Sequence, residues 1–180
     1  MSAVAEFFTF PDVVNEKAAR VVAGGVVLLA VVAIWSASPW VALVMAIGFA
    51  LRVASGPRFS PLGRVAARGI APRLGPAVLV PGAPKRFAQS IGLAFASTAT
   101  VLGFLGLTTA AAVVLGVLAV FATLESVLGF CAGCYAFGWL IRLGLVPEEV
   151  CVACNDIQGR LAAQQAAQAA ADAVTAGANA

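Results

Sequence analysis

The run Ala18 to Trp35, AARVVAGGVVLLAVVAIW, decides the fold. Beyond Arg20 it carries no charge, and its length is close to the ~20 residues a helix needs to cross the hydrocarbon core. It reads as a transmembrane helix. The rest of the chain has the same character: 62% of the residues are hydrophobic and the mean hydropathy is +1.00, against about 45–50% apolar residues in soluble domains. Charged residues make up 11%, against roughly 25% in ordinary domains, and they are gathered into a few places. The expected fold class is therefore all-α: an integral membrane protein with four transmembrane helices in two hairpins, followed by a cytoplasmic C-terminal helix.

A secretory signal peptide is the competing reading of the first run, since Ser36-Ala37-Ser38 resembles a small-residue cleavage site. The long, partly acidic segment before the run argues against it, as do Pro39 and the immediate return of apolar sequence. Residues 1–17 form an interfacial arm in this reading. The first crossing ends at Ser36 to Trp40, with Trp35 and Trp40 suited to the interfacial level. The chain returns through Val41 to about Val53, a short span for which Arg52 could serve as a snorkelling end.

Residues 52–86 form a basic, proline-rich loop. Arg52, Arg58, Arg64, Arg68, Arg73, Lys85 and Arg86 occur with no acidic residue among them, and six of the chain's 9 prolines interrupt the stretch. Interior prolines forbid one long helix. A short amphipathic helix is predicted from Leu62 to Ile70, with Leu62, Val65, Ala66 and Gly69 on its apolar side. The charge suits an anionic ligand or, more simply, anionic lipid headgroups. By the positive-inside rule this loop is cytoplasmic, and with four crossings both termini are cytoplasmic too. The lipid bilayer is the expected partner; the net charge of +3, so distributed, does not point to nucleic acid.

The third crossing is predicted from Phe87 to Leu107, with small residues Ala88, Gly92, Ala96 and Thr100 along one face to admit a close neighbour. The chain turns near Gly106 to Thr109. Apolar character then persists from Ala110 to Val146, which as one helix would extend about 55 Å. A break is expected near Leu128 to Cys134, leaving Tyr135 to Leu145 as an interfacial helix; a straight helix to Arg142 is the alternative. The four-helix membrane domain thus covers residues 18–146. Residues 147–180 are a cytoplasmic helix with an alanine- and glutamine-rich tail, opened by the start signal Pro147-Glu148-Glu149.

The candidate chemistry lies in Cys131, Cys134, Cys151 and Cys154, all the cysteines of the chain, and in Glu125, the carboxylate within an apolar span. There is no histidine, so standard Ser-His-Asp and Cys-His hydrolases are excluded. A charged Glu125 in a membrane costs about 2.5 to 3.5 kcal/mol on insertion scales. It is therefore protonated, paired or functional. The spacing C-x2-C-x16-C-x2-C fits a four-cysteine zinc site, although the apolar setting of the first pair disfavours thiolates. It equally fits thiol–disulfide exchange, because a cysteine at a helix start gains nucleophilicity from free backbone N–H groups. Packing cysteines without chemistry are the bland alternative. A small transporter or channel subunit is a further expectation, resting on Glu125 and the hydroxyl groups of the third crossing.

Several stretches together resemble the bacterial membrane proteins grouped as domain of unknown function 4395. They are Phe10-Pro11, Val14-Asn15-Glu16, Ala18-Ala19-Arg20, Pro72-Arg73-Leu74-Gly75-Pro76, Pro84-Lys85-Arg86-Phe87-Ala88-Gln89 and Gly129-Phe130-Cys131-Ala132-Gly133-Cys134. The resemblance runs from about Phe10 to Asn155, and its specific parts are Arg-Phe-Ala-Gln and Phe-Cys-x-x-Cys. It supplies no activity of its own. It implies that the neighbours of such proteins are thioredoxin-like and sulfurtransferase proteins, hence thiol or sulfur-transfer work. The leading expectation is a thiol redox or sulfur-relay protein of the bacterial cytoplasmic membrane, and the runner-up is a zinc scaffold.

Overall fold

The computed structural model describes residues 11–56 and 59–145. Most of the predicted N-terminal arm, Arg58 in the basic loop, and the predicted cytoplasmic helix with Cys151 and Cys154 lie outside the described residues.

The described chain is helical apart from one small ribbon. Strand β1 (Val13–Asn15) leads directly into helix α1 (Glu16–Ser36). Asn15 caps it by accepting the Lys17 N–H at 3.0 Å, and Glu16 lies in the first turn, where a carboxylate opposes the free N–H groups. Helix α2 (Pro39–Ser55) opens with a proline already set for the first helical position. Next comes a short helical stretch of three pitches: α3 (Pro61–Arg64), a π-helical segment (Val65–Ile70) and a 3₁₀ turn (Ala71–Leu74). Strand β2 (Leu79–Pro81) pairs antiparallel with β1, placing Val13 opposite Pro81 and Asn15 opposite Leu79. Helix α4 (Gly82–Phe104), helix α5 (Thr108–Thr123) with a π-helical last turn (Leu124–Leu128), and helix α6 (Ala132–Arg142) complete the chain.

Among the described residues three helices are long and apolar enough to cross a membrane: Glu16–Ser36, Gly82–Phe104 and Thr108–Leu128. Pro39–Ser55 is apolar but shorter, at 17 residues. Their inner faces form one core from Val26, Ala30 and Ala33 of α1, Met45, Ala46 and Phe49 of α2, Ala96 and Ala99 of α4, and Leu115, Leu118 and Ala122 of α5. The predominance of alanine lets the backbones approach, which replaces the large side chains of a soluble core. Helix α4 packs most extensively against α2. Its Gly92 lies under the Phe49 ring, so that any Cβ there would collide with it. Large apolar side chains such as Leu28, Val44, Val113 and Val120 point outward. Such a surface suits a lipid environment.

Three sequence expectations need correction. The third crossing begins at Gly82, five residues earlier than its predicted start at Phe87, because Pro84 falls in the first turn, where it removes no helical hydrogen bond. Lys85 and Arg86 are therefore helical and not part of a loop. Arg52 turns inward instead of snorkelling and is only 5% exposed. In the middle segment the buried positions are Gly63, Ala66 and Ala71, whereas Val65 and Gly69 are exposed; the π-helical pitch rotates the predicted apolar face. The ribbon was not anticipated at all.

Candidate functional site

The fourth long helix does not run straight to Arg142. Its π-helical last turn, a local widening of the ladder, stops at Gly129, which adopts φ 71°. The Gly129 N–H returns to the Glu125 carbonyl at 3.0 Å and the Phe130 N–H to the Leu124 carbonyl at 3.2 Å. This closes the helix end in the manner that favours a left-handed glycine. Arg20 of α1 covers the remaining carbonyls, donating from Nε to Ser126 at 3.1 Å and from Nη2 to Val127 at 2.6 Å. The break expected between Leu128 and Cys134 is thus present.

Because the chain breaks there, Cys131 becomes the N-cap of α6. Its Sγ accepts the Cys134 backbone N–H at 3.3 Å. Both cysteines are free and half-buried. A hydrogen bond from the Cys134 thiol holds the Cys131 thiol below the usual thiol range. Burial and Glu125 oppose that shift, while Lys85 and the Cys134 N–H assist it. The same bond, with burial, pushes Cys134 far up. The pair is therefore unequal, the Cys131 thiol held low and the Cys134 thiol pushed up.

Glycine sets the position of this pair against α4. A Cβ on Gly133 would sit 2.6 Å from Ala88 Cβ and 2.7 Å from its Cα. The glycine between the cysteines is thus what lets α6 lie on α4, and Phe137 packs on Phe87 at 5.5 Å between ring centroids. Tyr135 and Trp139 face outward.

Glu125, projected from the π-helical turn, accepts from Lys85 Nζ at 2.7 Å. The two side chains are 16% and 9% exposed, so the pair is largely removed from solvent. Of the three possibilities read from the sequence, pairing holds in this structure. Lys85 itself was missed as a site residue, since it was read as one of many loop cations. Its spacing four residues before Gln89, within Pro84-Lys85-Arg86-Phe87-Ala88-Gln89, was the signal that could have placed both on one helical face. Arg52 and Gln89 were missed likewise: Arg52 Nε donates to Gln89 Oε1 at 2.8 Å.

A cavity of about 280 Å³ reaches Cys131, which lines it together with Glu125, Gly133 and Gln89 and the apolar Val26, Phe95 and Phe121. The arrangement brings two unequal thiols and a buried ion pair to an apolar crevice. Among the described residues no three His, Cys, Asp or Glu side chains are grouped so as to hold a metal ion; the second cysteine pair of the four-cysteine reading lies outside them.

Nothing matches the chain among curated proteins or among solved structures. The profile of one protein family does match, across residues 14–142, from the capping Asn15 through Lys85 and Glu125 to the end of α6. The chain belongs to the family described as domain of unknown function DUF4395.

Proposed function

We propose that this protein is a thiol redox or sulfur-relay component of the bacterial cytoplasmic membrane, with Cys131 and Cys134 as its reactive pair. One observation carries the reading: Cys131 caps α6 with its sulfur on a backbone N–H and opens onto a cavity shared with Glu125. In the proposed step the Cys131 thiolate attacks one sulfur of a partner's disulfide, forming a mixed disulfide and expelling the partner's other sulfur as a thiolate. Cys134 then loses its proton and attacks Cys131, releasing the second partner thiolate. Two electrons pass to the partner, whose thiolates take up the two protons, and the pair is left as a disulfide. Cys151 and Cys154 are the proposed exchanging pair, and a thioredoxin-like or sulfurtransferase protein is the proposed partner.

Four crossings with both termini cytoplasmic belong to this reading. Two features support it. The turns after α1 and α4 carry no charge and lie together, with Trp40 edge-on to Phe104 at 5.1 Å and Ser38 and Thr108 lining one cavity. The charged residues of α1, α2, α4 and α5 all occupy the opposite ends of those helices. An ~25 Å α2 would then cross a locally thinned bilayer.

The test is anaerobic purification followed by metal analysis and thiol titration with and without reductant. Metal-free protein whose Cys131–Cys134 pair forms and loses a disulfide reversibly is the expected result. One zinc per chain with four protected thiols would overturn the relay in favour of the zinc scaffold.

A further inference from the structure

A second chamber of about 270 Å³ lies beneath the β1–β2 ribbon, lined by Asn15, Arg52, Gly63, Lys85 and Gln89 among others. It adjoins the thiol cavity, with Ala19, Val22 and Gln89 common to both. Its charge is unusual. Arg52 and Lys85 are both buried, and the carboxylate that faces them, Glu125, is held by Lys85 in the ion pair. Arg52 has only neutral partners: Gln89 Oε1, the Ser60 hydroxyl at 3.2 Å, and the Phe49 ring 4.4 Å away. One buried positive charge is thus left without a counter-charge among the described residues. Removing an ion from water costs several kcal/mol unless an opposite charge and hydrogen bonds compensate.

Arg52, Lys85, Gln89 and Asn15 all line the chamber and keep donors beyond the bonds they make. Arg52 Nη2 makes no hydrogen bond among the described residues, yet no buried side-chain nitrogen or oxygen lacks a partner. Nη2 is therefore free of protein partners without being fully enclosed, and Arg52 lines this chamber and an apolar one beside it. The Gln89 amide has its oxygen turned to Arg52, which leaves its NH2 to donate. Asn15 is oriented in the same sense, its oxygen being taken by the Lys17 N–H. A guanidinium edge, an ammonium group and two amide NH2 groups around one space form a donor set for oxygens of a negatively charged tetrahedral group. The small walls Gly56, Gly63 and Ala67 leave room for it.

We infer that this chamber binds a tetrahedral oxyanion, sulfate- or phosphate-like, seated between Arg52, Lys85 and Gln89. The inference stands independently of the redox reading. The group could arrive as a free ion or as the phosphate of a lipid headgroup, and one experiment separates the sources. Radiolabelled sulfate is equilibrated with the full chain in a non-ionic, phosphate-free detergent at constant ionic strength. Saturable binding is expected, displaced by phosphate and not by chloride. Arg52→Met should weaken it by about tenfold or more, and Arg52→Lys, which keeps the charge and loses the planar fork, less. Should Arg52→Met fail to fold, Gln89→Leu carries the same expectation with the charge retained. In nanodiscs containing phosphatidylglycerol, undiminished sulfate binding indicates a free ion as the natural occupant, and lost binding indicates the headgroup. Absence of saturable binding in detergent, or binding that is equal in wild type and both folded variants, would overturn the site.

Discussion

At the scale of single residues, the inequality of Cys131 and Cys134 governs what can be measured. An ordinary thiol is alkylated faster as pH rises through its range, because only the thiolate reacts. Cys131, held low by its bond from Cys134, should reach its plateau at a lower pH than a free thiol, while Cys134 stays protonated and slow across neutral pH. Replacing Cys134→Ala removes the stabilising S–H donor, so the Cys131 profile should move up. Glu125→Gln removes a nearby negative charge and should move it down, as followed by iodoacetamide labelling and mass spectrometry. If Glu125→Gln leaves the profile unchanged, the carboxylate has no part in the chemistry. The same variant strands Lys85, and the expected loss of stability is about 3–5 kcal/mol for half of a buried pair, read from detergent unfolding curves. The cysteines and Glu125 were legible in the sequence because each is chemically conspicuous in an apolar run. Lys85 and Arg52 were not, since burial of a cation is decided by what folds over it, and here that cover comes from residues far away along the chain.

At the scale of elements, glycines separate positions where geometry is fixed from those where it is free. Gly133→Ala should push α6 off α4 and cost about 1–3 kcal/mol, as over-packing does. It should also change the Cys131 labelling profile, because the N-cap moves with the helix. Gly138 lies in the same helix with nothing within 4 Å of a new Cβ. There Gly→Ala is expected to be neutral or stabilising by up to about 1 kcal/mol, which makes it the matched control for thermal unfolding. At Gly129 the left-handed backbone disfavours a side chain by about 1–2 kcal/mol, and Glu16 Oε1 stands 3.0 Å from where the Cβ would be. The break at Gly129 was legible because a straight helix would have outrun any bilayer. The ribbon was not, since three-residue strands are too short to show an alternating pattern and depend wholly on a partner that sequence alone does not identify.

At the scale of the molecule, hydropathy gave the apolar spans and their approximate bounds, since length and composition alone decide whether a helix can cross. It could not say which faces meet, because alanine-rich helices are apolar all round and carry little periodic signal. The proposed topology is open to a direct measurement. A reporter active only outside the cytoplasm should be active when fused at Ala37 or Gly106 and inactive when fused at Ile70. An Ala37 fusion that reports the same side as Ile70 would remove α2 as a crossing.

The walls of the thiol cavity run from Ala19 of α1 to Ala136 of α6, so synthesis order matters. While the ribosome is still making α5, the crevice lacks its closing side, and the Lys85 ammonium has not yet met Glu125. Cys131 and Cys134 follow α1, α2, α4 and α5 along the chain. The cap of the Cys131 sulfur on the Cys134 N–H forms within α6 itself, whereas the charges of Lys85 and Glu125 act on that sulfur only once α6 lies on α4.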